Sequence, residues 1–93
     1  SGKPKRIVTA AIMKVNDYGL PAGHAYSVIG WKGGDLVVRN PWGRNPMTDE
    51  RGQPCKRRLR NGPRGEDPYK TGVFSISLKD FYDVFDHICY EGK

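Results

Sequence analysis

The chain has 93 residues, 37% hydrophobic and 28% charged, with a formal net charge of +6 and two cysteines. That length supports one domain with a small core, and no apolar run reaches the length of a membrane-spanning helix. Cys55 and Cys89 lack ligand-like neighbours at short spacing, which excludes a disulfide framework and a cysteine metal site, and a reduced, intracellular setting, the cytoplasm, is expected.

In chain order, Ser1–Arg6 is small, basic and proline-interrupted and reads as a flexible terminus, with the domain proper spanning residues 7–93. Ile7–Met13 is a continuous apolar run of strand length. Asn16–Gly23 is a turn-rich connection leading straight into His24. Two runs rich in β-branched and aromatic residues follow, His24–Trp31 and Asp35–Asn40, and Gly33-Gly34 between them is a hairpin signal.

Register adds a condition. A strict two-residue turn at Gly33-Gly34 pairs Ser27 with Asn40 and sets His24 and Asn40 on opposite faces of the sheet. If those two residues act together, the hairpin needs an odd-length loop or a β-bulge.

Arg44–Lys70 carries four prolines and little hydrophobic periodicity and reads as a long irregular loop, suggesting mobility or function. Within it, Cys55–Arg60 holds a basic cluster. No stacking aromatics interleave with the cluster, which argues for a solvated loop and against nucleic-acid binding, while contact with an acidic surface or substrate stays open. Val73–Ser77 alternates as a strand does, and Ser77 with Asp80 forms a capping pattern for a short helix with Leu78, Phe81, Tyr82 and Phe85 on one face. Asp86–Tyr90 suits a last strand, with His87 structural or exposed.

Gly23-His24-Ala25-Tyr26-Ser27, followed by Arg39-Asn40-Pro41-Trp42-Gly43, resembles the His/Asn half of the calpain family of papain-like cysteine endopeptidases. The resemblance runs from about Ile7 to Tyr90. It implies a catalytic histidine at His24, an orienting asparagine at Asn40, and active-site support from Trp42 and Gly23. In that chemistry a neutral thiol is a weak nucleophile, and an adjacent imidazolium lowers its pKa. Asn40 would accept or donate at the far ring nitrogen, and Trp42 would cover that bond from water. Gly23 would let backbone or substrate approach beside the histidine, with Asn16–Gly23 as a candidate wall of the cleft.

The same resemblance places the nucleophile far upstream of the histidine at a helix N-terminus, and no such stretch occurs here. Cys55 lies in a polar loop and Cys89 ends an apolar run, so neither fits. The expected partners are therefore a cysteine-bearing other half and a protein or peptide substrate, and the chain alone is expected to be inactive. The family's calcium loops correspond to Arg44–Met47 and Thr71–Phe74, which contain no carboxylate. No metal or other cofactor is expected in this half, and calcium is left to other parts of a full-length protein. The fold expected is α+β: a twisted antiparallel sheet partly curled towards a barrel, with one short C-terminal helix, the β-rich half of a papain-like core. The alternative is a non-catalytic calpain-like interaction module using the basic loop as its contact surface.

Overall fold

Gly33 and Gly34 both adopt positive φ, 61° and 90°, and close a two-residue turn in which Lys32 faces Asp35. Paired positive φ values match the twist of the strands they join. The turn connects β2 (His24–Lys32) to β3 (Asp35–Arg39), and this hairpin is the centre of the sheet. The computed structural model describes residues 6–91; of the Ser1–Arg6 terminus, residues 1–5 lie outside the described residues.

Around the hairpin lie β1 (Ile7–Ile12), β4 (Arg60–Asn61), β5 (Val73–Ser77) and β6 (His87–Tyr90). The strand order is β4-β5-β3-β2-β1-β6, antiparallel at each pairing. The pairing stays open, with β4 and β6 at the two edges. Two short helices complete an α+β domain, α1 (Pro68–Thr71) and α2 (Leu78–Val84). The sequence predicts one helix; the second arises because Asp67 caps the Tyr69 N–H at 2.9 Å and Pro68 occupies the first helical turn, where no N–H is needed. Among the described residues, no helix is long and apolar enough to cross a membrane.

One face of the sheet carries the core. Ile12, Tyr26, Leu36, Val38, Phe74 and Ile76 are buried there, and Phe81, Val84 and Phe85 cover them. Burial of each such side chain contributes about 1.5–3 kcal/mol. Ser77 caps α2 as its sequence suggests, its Oγ accepting from the Asp80 N–H at 3.2 Å. The buried face of α2 differs from the one predicted: Leu78 and Tyr82 are 37% and 48% exposed, and Val84 joins Phe81 and Phe85 inside. The helix ends at Val84, and Phe85 has extended φ and ψ of −96° and 140°. Phe85 therefore reaches the core from outside the helical stripe.

Arg44–Lys70 is largely irregular, as its composition suggests, but it is stitched down along its length by hydrogen bonds. Thr48 and Pro54 form a bridge, and Asp49 Oδ1 accepts from the N–H groups of Arg51 and Gln53. Leu59 is buried, and its N–H donates to the Tyr69 hydroxyl at 2.8 Å. The basic cluster is largely occupied within the chain. Arg57 pairs with Asp80 at 3.1 Å and lies over the Tyr18 ring, Arg58 lies over Tyr69, and Arg60 pairs with Asp35 at 3.0 Å.

The Arg57 hydrogen bond holds the Asp80 carboxyl below its ordinary value. A depressed carboxylate pKa stabilises the fold above the unfolded-state value, and the contribution fades as pH falls through the folded-state value. Asp80→Asn should therefore be less stable than the parent in urea at neutral pH. The gap should close in acid below the folded-state pKa of Asp80, and a gap that persists there would mean that Asp80 acts through something other than its charge.

Candidate functional site

The β2–β3 pairing slips by one residue along the strand. Lys32 faces Asp35, Trp31 faces Leu36 and Gly30 faces Val37, but Val28 then faces Val38 and Ser27 faces Arg39. Ile29 is the extra residue of a β-bulge. Continuing the shifted register sets Asn40 opposite Tyr26, and His24, two residues from Tyr26, shares that face. Of the two irregularities that would unite His24 and Asn40, the strand adopts the bulge and leaves the turn at its regular length.

Asn40 follows the end of β3 and is fully buried. Its own N–H donates to the Gly72 carbonyl at 2.9 Å, and its carbonyl accepts from the Gly43 N–H at 2.9 Å across the turn Asn40-Pro41-Trp42-Gly43. Within that turn the side chain bends back: Asn40 Oδ1 accepts from the Trp42 N–H at 3.0 Å. This is the Asx geometry that makes Asn-Pro a turn starter.

The same oxygen lies 2.8 Å from His24 Nε2. Because Asn40 Oδ1 already accepts a backbone N–H, it is the acceptor here too, so Nε2 carries the proton and Nδ1 of the neutral ring has its lone pair free. No described residue hydrogen-bonds Nδ1. The Trp42 indole lies against the imidazole, with ring centroids 4.3 Å apart and a 32° tilt, while the tryptophan itself is 53% exposed. Behind the ring, Tyr26 meets His24 edge-on at 4.8 Å and Phe85 at 5.3 Å, which ties the imidazole to the core. Gly23, with φ of 70°, has open space where a side chain would stand, and its N–H donates to the Ile12 carbonyl at 2.6 Å.

The four residues singled out in the sequence thus meet, His24, Asn40 and Trp42 in direct contact and Gly23 beside them. Sequence reading missed Asn45. It is 3% exposed; its Oδ1 accepts from Asn40 Nδ2 at 2.9 Å, and its Nδ2 donates to the Pro68 carbonyl at 2.9 Å. The only sequence signal was a second Asn-Pro pair, Asn45-Pro46, five residues after the first.

Burial raises the Tyr26 hydroxyl pKa well above the ordinary tyrosine value, so the group stays neutral. That hydroxyl is buried without a hydrogen-bond partner among the described residues. Tyr26→Phe removes an unsatisfied polar atom and little volume, so stability should hold or rise by up to about 1 kcal/mol. A clear loss in a urea titration would show that the hydroxyl is bonded in solution.

Cys55 is half-buried with Sγ packed on Gly19, and Cys89 is exposed on β6; both are free. Burial pushes the Cys55 thiol pKa up, away from the thiolate that a nucleophile requires. One groove, about 420 Å³, lies between residues 15–20 and 49–56, and another, about 360 Å³, lies between residues 6–8 and 28–31. Neither includes His24 or Asn40; the Asn16–Gly23 loop borders the first groove, which is distinct from the histidine site. Among the described residues, no three His, Cys, Asp or Glu side chains converge to hold a metal ion. In comparisons with known proteins, no family model, no curated protein and no solved structure matches this chain.

Proposed function

We propose that this chain is the His/Asn half of a calpain-type cysteine endopeptidase core with a papain-like architecture, acting on peptide bonds with a thiol supplied by a cysteine-bearing half. The observation that carries this reading is the His24–Asn40 hydrogen bond of 2.8 Å, polarised by the Trp42 N–H so that Nδ1 is left free. Nδ1 would take the thiol proton, giving a thiolate–imidazolium pair, and the thiolate would attack the scissile carbonyl. The imidazolium would then protonate the leaving amine, and the neutral ring would draw a proton from the water that releases the acyl group. Asn40 would hold the ring in place throughout, and Trp42 would shield it.

His24 is only part-buried and Trp42 is half-exposed, which fits a site on an open face whose cleft would take shape against a second half. The alternative, an interaction module that binds through its basic loop, is weakened because Arg57, Arg58 and Arg60 already have partners within the chain. The test is reconstitution. A calpain-type cysteine subdomain would be fused ahead of this chain, and hydrolysis of a fluorogenic peptide would be measured together with alkylation of the cysteine by iodoacetamide. Thiolate-level alkylation and turnover that both depend on this chain are expected. A complex that forms but gains neither would favour the interaction module.

A further inference from the structure

We propose that Asn45 is a positioning residue for His24, acting through Asn40 to fix which imidazole nitrogen carries the proton. Its catalytic meaning rests on the reading given above; its effect on the ring does not.

Three side chains form one directed line: His24 Nε2–H to Asn40 Oδ1, Asn40 Nδ2 to Asn45 Oδ1, and Asn45 Nδ2 to the Pro68 carbonyl. An asparagine amide can turn over and exchange its donor for its acceptor. Here both ends of the amide pair meet backbone groups that cannot: the Trp42 N–H only donates, and the Pro68 carbonyl only accepts. Turning Asn40 alone would point its Nδ2 at the Trp42 N–H and set its Oδ1 against Asn45 Oδ1. Turning both amides moves the second conflict to Pro68, where oxygen would face oxygen. Each flipped arrangement sets like groups face to face at two places along the line, and each lost hydrogen bond is costly. The Pro68 carbonyl is itself held in place, because it also accepts the Gly72 N–H that caps α1. Asn45 thus carries the polarity of the α1 backbone to the imidazole.

The test reads the ring nitrogens of His24 by ¹⁵N NMR in the isolated chain, at a pH where the imidazole is neutral. In the parent chain Nε2 should show the shift of a protonated nitrogen and Nδ1 that of a bare one. Asn45→Leu fills the space but removes both hydrogen bonds, and the population of the other tautomer should rise by about tenfold. Asn45→Asp, kept protonated by burial, accepts from Asn40 Nδ2 and donates its O–H to the Pro68 carbonyl, and should keep the parental pattern. A folded Asn45→Leu chain with parental shifts would overturn the proposal, as would a parent chain protonated on Nδ1. Should the leucine chain fail to fold, the aspartate chain decides: the parental tautomer supports the relay, and a mixed one overturns it. Because no cysteine half is present, a relay confirmed here alongside failed reconstitution would sink the peptidase reading alone.

Discussion

In a core completed by a cysteine-bearing half, His24→Ala should lower kcat/KM for a peptide substrate on the order of 10⁴- to 10⁶-fold. On the proposed peptidase reading, alanine removes both the base that would make the thiolate and the acid that would protonate the leaving amine. It leaves the substrate-binding walls alone, so the loss should fall mainly in kcat. Asn40→Ala should cost less, because Trp42 still lies against the ring at 4.3 Å and Tyr26 meets its edge at 4.8 Å. Steady-state kinetics across a pH series would separate the two variants. An unchanged rate in His24→Ala would remove the peptidase reading altogether.

Gly72→Ala should cost about 3 kcal/mol or more of stability, a large share of the 5–15 kcal/mol typical of a domain. Gly72 has φ of 82° and ends α1, a conformation that costs a residue with a Cβ roughly 1–2 kcal/mol. Its added Cβ would also lie 2.9 Å from the Asn40 carbonyl oxygen and 3.0 Å from the Arg44 nitrogen. Both neighbours are backbone, so no flexible side chain can give way. Relief would push the Asn40 turn outward, so His24–Asn40 geometry should suffer together with stability. Gly43→Ala is the control: its φ is 77°, but nothing stands within 4 Å of its added Cβ. Its cost should stay near that of the backbone conformation alone. For a domain of this size the difference between the two variants should read as roughly 4–8 °C of Tm per kcal/mol. Equal melting temperatures would show that the contact between α1 and the Asn40 turn is loose.

The parts of this molecule legible in its sequence are those written in side-chain type and spacing. The β2–β3 hairpin followed from Gly33-Gly34 between two β-rich runs, and the start of α2 from Ser77. His24, Asn40 and Trp42 stood out by their flanking residues, and they lie together. The bulge was legible only as a condition, because nothing about Ile29 itself marks it as the extra residue. Tyr18 and Leu20 lie in a turn-rich stretch yet are buried. The Asn16 side chain bonds both the N–H and the carbonyl of Leu20, closing the loop in a way that no hydrophobic pattern announces. Arg44–Lys70 was opaque for the same reason, since much of its order comes from bonds between side chains and backbone. Asn45 belongs to that class, because its partners are an amide five residues back and a carbonyl 23 residues on.

The bulge at Ile29 turns the hairpin into a parity device. Whether His24 and Asn40 meet depends on whether the count of residues between them is odd or even, more than on what those residues are. Insertions or deletions of two residues between positions 24 and 40 preserve the shared face, whereas a change of one sends the imidazole to the other side of the sheet with every hydrogen-bonding group still present. A lineage carrying this hairpin could therefore lose its dyad through a single-codon deletion while keeping both residues intact. For chains of this kind, the spacing between the histidine and the asparagine is as diagnostic as their identity.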